Sequence, residues 1–530
     1  MFHARKLLAR MFAAGSPWNA RAVGTALLVA LLAGGGCGKS HRPAPAGRAP
    51  APSHRAVGPA TAAPTAPPSR PVTLGGQRTT LGRLTAAAQS ANLVICVLDA
   101  ARADRLGCYG YPRDTTPDID RIARGSVIFT NHFAPSPSTK PSTASLFTGL
   151  YPDTHQIILN GELDPSAFTL AEGLRTAGWR TVLFSSNVNA SPAVGLGRGF
   201  QEAFPDRSGR GRTSDITLPD DSAWTTPEGL ASAFAQWLAR KPSGRFFAYV
   251  HFLPPHLPYQ APDACTAAVT AKSAPVPETG RFEFPQTASP GVRASRYPPQ
   301  QWADRYDANL RWGDWGVGEV VKALSASGEL DNTLLIITSD HGEAFGEHGY
   351  TYHLYGVYDE LLHIPLVLRL PGRRRLTGAV SALTQTVDLL PTLCDLYRIP
   401  HPHLQGSSLL PLLDGSKARV RDYVIAKSEE SWPSYLVRDG QWSLILYRGG
   451  ELRALYDLRH DPGQRHNVAA SQPAGLARMT ALLTSFGRTQ TRSPAAFLSA
   501  AAAAAPEPAP RQHALSPKAR EELKALGYVD

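Results

Sequence analysis

Short continuous apolar runs recur along the middle of the chain at Leu93–Leu98, Val127–Thr130, Thr181–Ser185, Phe246–Phe252, Thr333–Thr338 and Leu366–Leu370. Runs of this length with no polar alternation read as strands buried on both faces. Between them, apolar positions at helical spacing predict helices over about 117–124, 168–177, 226–240, 305–327 and 387–397. The alternation predicts an α/β fold, a mixed and mostly parallel sheet sandwiched by helices. Active-site groups in such folds gather beyond the C-terminal ends of the strands. After about residue 415 the pattern changes. Asp422–Ala426, Ser434–Arg438 and Gln441–Tyr447 read as strands, Arg438-Asp439-Gly440 as a hairpin turn and about 472–486 as a helix. These elements predict a smaller C-terminal α+β subdomain. Residues 260–300 are proline-rich with little periodicity, which reads either as a substrate-facing insertion or as a loop with no role.

The N-terminus has a different character. Arg5, Lys6, Arg10 and Arg21 precede an apolar run, Ala22–Ala33, and then Gly34-Gly35-Gly36-Cys37. That is the layout of a secretory signal peptide, with an apolar run too short to span a bilayer comfortably. Cys37 after small residues resembles a bacterial lipobox, which implies a lipoprotein anchored to a membrane at Cys37, in the periplasm or on the cell surface. Residues 39–72, rich in Pro and Ala, cannot build a core and read as a semi-extended tether. The organisation predicted is a leader over 1–36, a tether over 37–75, a main domain over 76–414, a small subdomain over 415–490, and a low-complexity linker with a terminal helix at about 516–526 over 491–530.

Charge then removes one class of partner. The net charge is +11, yet Asp99 is the first acidic residue, and eleven Lys/Arg precede it. Taking those eleven from the chain's 54 Lys/Arg leaves a number equal to its 43 Asp/Glu. The globular part is formally neutral, so no nucleic acid is expected. Beyond Cys37, the cysteines Cys96, Cys108, Cys265 and Cys394 form no Cys-x-x-Cys pair, which argues against a zinc cage or redox motif.

Several residues carry candidate chemistry. Asp99 closes the apolar run Asn92–Leu98, and Asp340-His341-Gly342 close another. Carboxylate and imidazole ligands at strand ends suit a borderline divalent metal. In Ser138-Thr139-Lys140-Pro141-Ser142-Thr143, Pro141 reads as a helix start, which places Thr139 just ahead of a helix N-terminus. A metal on the Thr139 oxygen would lower its pKa and make it a nucleophile. His251 and His256 in one segment, and His353 in another, are candidates for protonating a leaving oxygen or holding a non-bridging one. Each residue taken singly also fits a cap, a turn or a core histidine.

Together these segments resemble the sulfatase family of the alkaline phosphatase superfamily, from about Asn92 to His460 and in the same order. Leu98-Asp99…Arg102-Ala103-Asp104-Arg105 resembles the first metal-binding segment. Thr139-Lys140-Pro141-Ser142-Thr143, followed by Leu146-Phe147-Thr148-Gly149, resembles the nucleophile signature. Pro255-His256-Leu257-Pro258-Tyr259, Ser339-Asp340-His341-Gly342-Glu343 and His353…Tyr358-Asp359-Glu360 resemble three further segments, and Leu455-Tyr456-Asp457-Leu458 resembles part of the small C-terminal domain. The resemblance implies an alkaline-phosphatase-like fold.

The departures are informative. Thr139 stands where sulfatases carry the Cys or Ser that becomes formylglycine, an aldehyde threonine cannot give. Thr143 replaces an arginine, and Ala100 replaces the second Asp of a pair. Ser185-Ser186-Asn187 stands where a lysine and a histidine grip sulfate. The remaining set resembles the threonine-dependent branch, which includes lipoteichoic acid synthases and phosphoethanolamine transferases. That resemblance implies one divalent metal on Asp99, Thr139, Asp340 and His341, with zinc or manganese first and calcium as an alternative. It implies Thr139 as nucleophile, His256 as acid and His353 on a non-bridging oxygen. The activity implied is that of a hydrolase or transferase acting on a phosphate ester, a diester or an anionic head group, of a lipid or glycan. The alternatives are sulfuric ester hydrolysis and an inactive sulfatase-fold protein that binds a sulfated or phosphorylated glycan or lipid.

Overall fold

The computed structural model describes residues 70–74, 77–157, 161–205, 216, 218, 220–270, 299–353, 356–372, 376–428, 434–447, 452–489 and 521. The leader, Cys37, most of the tether, residues 271–298 of the proline-rich stretch and all of the terminal helix but Glu521 lie outside them. No helix among the described residues is long and apolar enough to cross a membrane.

Ten strands form the central sheet: β1 (Arg70–Leu74), β2 (Gln77–Arg78), β3 (Asn92–Leu98), β4 (Val127–Phe129), β5 (Arg180–Ser185), β6 (Glu202–Phe204), β7 (Phe246–Phe252), β8 (Thr333–Ser339), β9 (Leu366–Arg369) and β10 (Leu376–Val380). Their order is β2-β1-β10-β4-β9-β8-β3-β7-β5-β6. The five strands from β8 to β6 are parallel. β9 runs antiparallel to both β8 and β4.

Alternate residues of β3 supply two cores, which is why the run carries no polar position. Leu93, Ile95 and Val97 pack with residues of helices α1 (Leu81–Ala88), α3 (Thr139–Thr148), α4 (Leu170–Thr176) and α7 (Leu389–Tyr397). Val94, Cys96 and Leu98 pack on the other face with α2 (Pro117–Ala123), α5 (Pro227–Ala239) and α6 (Pro299–Ala326). The expected sandwich is present, with most predicted strand and helix ends met within two residues.

Three expectations are corrected. α3 begins at Thr139 with Ser138 as its N-cap, two residues before Pro141. A proline anywhere in the first turn is tolerated, because the N–H it removes has no intrahelical acceptor there. The stretch 260–300 is not all loop: it holds a helix at Asp263–Thr270 and the start of α6 at Pro299. Arg70–Leu74, read as part of the tether over 37–75, is β1 and pairs antiparallel with β10; short edge strands carry too little pattern to be read.

The C-terminal subdomain is a four-stranded antiparallel sheet, β11 (Val424–Ser428), β12 (Ser434–Arg438), β13 (Trp442–Tyr447) and β14 (Leu452–Asp457), followed by α8 (Pro473–Gly487). Its fourth strand was not foreseen as a strand. Both faces are buried. Val437, Leu444 and Leu446 pack with Met479, Leu483 and Phe486 of α8, and Leu436, Ile445 and Ala454 pack with Phe133, Leu361 and Ile364 of the main sandwich.

One ion pair helps fasten this sheet. His348 sits with Nδ1 2.6 Å from Glu360 Oε1 and Nε2 3.0 Å from Gln464 O, its ring stacked on Tyr358. Both ring nitrogens face acceptors, so the doubly protonated ring satisfies both. Burial alone would lower the His348 pKa, but the Glu360 carboxylate outweighs it and the net shift is upward. A raised folded-state pKa stabilises fully below the unfolded value, about 6.5, and that contribution is lost as pH rises through the folded value. Urea midpoints measured against pH will therefore decline above about pH 6.5, and His348→Asn will flatten that part of the profile. An unchanged slope in the variant would assign the decline to other groups.

Candidate active site

The register of the parallel strands assembles the site. Leu98 pairs with Phe252 on one side and Ser339 on the other, so Asp99 and Asp340 leave adjacent strands side by side. The turn after β3 is built to hold them. Ser339 Oγ donates to Leu98 O at 2.7 Å and accepts from the Ala101 N–H at 2.8 Å. Ala100 adopts a left-handed conformation, φ 63, with its N–H donating to Asp340 Oδ1 at 3.1 Å. A non-glycine residue held there stores strain, and such positions cluster at functional sites.

Thr139 is the first residue of α3 and is fully buried. Ser142 Oγ donates to Asp340 O at 2.6 Å, tying the helix start to the end of β8. Thr139 Oγ1 lies 3.1 Å from His341 Nε2 and 3.5 Å from Asp99 Oδ1. His341 Nδ1 donates to Gly342 O at 2.8 Å, which leaves the Nε2 lone pair toward Thr139 and the carboxylates.

Asp99, Asp340 and His341, all buried, offer ligand atoms within 4.8 Å of one another. Asp340 Oδ1 accepts two N–H groups, whereas its Oδ2 is buried without a hydrogen-bond partner, 3.6 Å from His341 Nε2. An orphaned carboxylate oxygen beside an imidazole lone pair is what a divalent cation satisfies, so the residues fit a metal. Two carboxylates and one imidazole suit zinc or manganese; calcium prefers more oxygen ligands.

Asp99 divides its oxygens. Oδ1 faces Thr139 and His341, while Oδ2 accepts from Asn187 Nδ2 and from His251 Nε2 at 3.0 Å, with the Tyr249 hydroxyl 2.8 Å from His251 Nδ1. Burial alone would raise the Asp99 pKa, but His256, His251 and His341 outweigh it and hold the group below the ordinary carboxylate range. His251 is raised overall despite its burial, because Asp99 accepts its hydrogen bond.

The structure brings all seven candidate residues together. His256 donates its backbone N–H to Asp99 O at 3.1 Å; its Nδ1 is 2.6 Å from Leu257 O and its Nε2 3.3 Å from the Tyr352 hydroxyl. The His353 ring lies 4.2 Å from that of His341 and 5.0 Å from that of His256, centre to centre. Its Nδ1 is 3.2 Å from Glu343 Oε1. Burial lowers both His256 and His353. Lys140, next to Thr139, donates to Gly161 O at 2.7 Å, and burial brings it down to about 8. Asn187, Glu343 and Tyr352 were not selected from sequence. Asn187 follows the end of β5, so the strand-end rule that singled out Asp99 would have found it.

Helices on both faces of a mostly parallel sheet, with a buried hydroxyl, two carboxylates and three histidines near the strand ends, form a candidate centre for metal-assisted ester chemistry. The family model "Sulfatase" matches residues 91–399, more than half of the chain, and "N-sulphoglucosamine sulphohydrolase, C-terminal" matches residues 346–484. The chain belongs to the sulfatase family and is a hydrolase of that family. It is 27% identical over 422 residues to the Delta 4,5-hexuronate-2-O-sulfatase of Bacteroides thetaiotaomicron, covering 73% of this chain and 86% of the relative. It is 26% identical over 424 residues to the choline-sulfatase of Rhizobium meliloti, covering 69% and 80%. The phosphonate monoester hydrolase of Agrobacterium radiobacter shares the fold, with a TM-score of 0.63 and 24% identity over 75% of this chain and 96% of that one.

The metal-fit geometry predicts a graded response. Asp340→Ala will abolish stoichiometric zinc and manganese binding in competition with a chromogenic chelator. Asn187→Leu, which removes one of the two hydrogen bonds to Asp99 Oδ2, will weaken affinity about 10–100-fold. Equal affinity in wild type and Asp340→Ala would show that the ion sits elsewhere.

Proposed function

We propose that this chain is a metal-dependent hydrolase or transferase that acts on phosphate esters through Thr139. The carrying observation is the Thr139 hydroxyl itself, buried at a helix start, 3.1 Å from His341 Nε2 and 3.5 Å from Asp99 Oδ1. A formylglycine hydrate has a second hydroxyl on the same carbon and expels sulfate by reverting to the aldehyde. An ester on threonine lacks that exit, so a second nucleophile must attack the central atom. Two successive displacements suit phosphorus better than sulfur.

Asp99, Asp340 and His341, with the Thr139 oxygen, would hold the divalent ion. When bound, the ion supplies a Lewis acid that lowers the hydroxyl pKa and offsets charge on the transferred group. Thr139 reacts as the alkoxide, its proton having left to solvent, and Oγ1 bonds to phosphorus as the bond to the leaving oxygen breaks with its electron pair. His256 enters doubly protonated, with Nδ1–H on the Leu257 carbonyl, and gives that oxygen its Nε2 proton. His353 steadies a non-bridging oxygen. Water or an acceptor alcohol then attacks phosphorus, loses its proton to His256 and releases Thr139. The α3 N-terminus favours the anionic group throughout.

A second reading, sulfuric ester hydrolysis, is favoured by the relatives, which carry sulfatase names. Both readings take an anionic ester. The test compares an aryl phosphodiester, phosphomonoester and sulfate with the full chain in zinc, manganese and calcium. Phosphoester turnover should exceed sulfate turnover, and Thr139→Ala should lower it by about 10⁴-fold or more, the scale of removing an enzymatic nucleophile. Mass spectrometry of the peptide containing Thr139, quenched during turnover, should show phosphothreonine. Faster sulfate turnover, or full activity in Thr139→Ala, would overturn the reading.

A further inference from the structure

Glu343 has no role in the chemistry above, yet it is the least economical residue of the site. Its side chain is fully buried, its one hydrogen bond goes from Oε1 to His353 Nδ1 at 3.2 Å, and its Oε2 has no partner. Burying a half-satisfied carboxyl costs stability, so a fold selected for stability alone would not keep it.

The surrounding backbone is arranged to make this one contact. A two-residue antiparallel ribbon pairs Ala344 with Tyr352 and Phe345 with Thr351. Glu343 precedes Ala344 and His353 follows Tyr352, so the ribbon register makes them the next facing pair. Tyr352 is held at φ 76, in the left-handed region where a bulky residue is an outlier. On the other side, Glu343 O accepts from Arg102 Nη1 at 2.9 Å, while Asp104 takes Arg102 Nε and Nη2 at 2.9 and 2.8 Å. Gly342 lets the segment lie against α-carbon chain from the neighbouring helix: a Cβ there would sit 2.1 Å from Glu360 O. Strained or clamped backbone on both sides fixes one carboxyl against one ring nitrogen.

The geometry points to Glu343 as the positioning residue for His353. A neutral ring that gives its Nε2–H to a non-bridging oxygen accepts at Nδ1, so the Glu343 carboxyl donates there and fixes both the ring tautomer and its rotation. Glu343 acts through His353 and touches neither substrate nor metal. The kinetic consequence rests on the phosphate-ester reading; the pairing itself does not.

Two measurements test it. The first is a double-mutant cycle on aryl phosphodiester turnover with Glu343→Leu, His353→Ala and the pair. Glu343→Leu should lower kcat/KM about 10–100-fold, Glu343→Gln, whose amide N–H still donates to Nδ1, should recover most of it, and the double variant should be no slower than His353→Ala. Additive losses would overturn the proposal, because they mean Glu343 acts independently of the ring. The second is the ¹⁵N spectrum of histidine-labelled full chain without substrate, with the His353 signals identified by their loss in His353→Ala. Glu343→Leu should move both His353 ring resonances, and unmoved resonances would overturn the pairing. Should no phosphoester be turned over by the wild type, the phosphate reading fails and the spectrum alone decides this inference.

Discussion

Two carboxylates leave adjacent parallel strands at the same register, and much of the site is a response to that proximity. Asp99 and Asp340 are both buried, and like charges brought together away from water repel strongly. The protein meets this with directed groups. Asn187 and His251 take one Asp99 oxygen, the backbone N–H groups of Ala100 and His341 take one Asp340 oxygen, and the His341 lone pair fills the space between. One oxygen of each carboxylate and one imidazole nitrogen remain facing a common point. A cation there would close the charge balance, so the same register that creates the repulsion also forms the candidate metal site.

Much of this was legible because it depends on local pattern. A strand buried on both faces must be continuously apolar, so the polar residue at its end is conspicuous. Asp99, Asp340 and His341 were visible for that reason, and Thr139 because a helix start favours small polar residues before an apolar run. The partnerships were not legible. Asn187 meets Asp99 only because β5 and β3 both flank β7, and strand order cannot be read from any one segment. Glu343 meets His353 only through the register of a ribbon two residues long, too short to leave a hydrophobic pattern. The C-terminal sheet was visible in three of its four strands. The fourth, Leu452–Asp457, carries Arg453 and Asp457 among its apolar positions and so has a diluted signal.

The C-terminal sheet also bears on the site at one remove. It buries Leu436 and Ile445 against Leu361 and Ile364, which follow the segment that carries His353. His348, a few residues before His353, is anchored to Glu360 and to the Gln464 backbone. The histidine segment is therefore held between the sandwich and the small sheet, and the small sheet supports the site without contributing a side chain to the metal cluster.

On the proposed reading, the departures from the family pattern are a different chemistry and not decay. An eroded site loses its buried polar groups first, because nothing then compensates their desolvation. Here Asp99, Thr139, His251, His256, Asp340, His341, Glu343 and His353 are all buried at 2% exposure or less. Ala100, in the place of an acidic residue, is not a passive filler: its strained backbone turns an N–H onto Asp340, and its carbonyl accepts from the Tyr306 hydroxyl at 2.8 Å. Threonine in place of a formylglycine precursor keeps an oxygen in the nucleophile position while removing the geminal hydroxyl needed to expel sulfate from its own carbon. Under the proposed phosphate-ester reading, keeping the cost of so many buried polar groups while giving up that one exit route suits a reaction in which the second displacement occurs at the transferred atom.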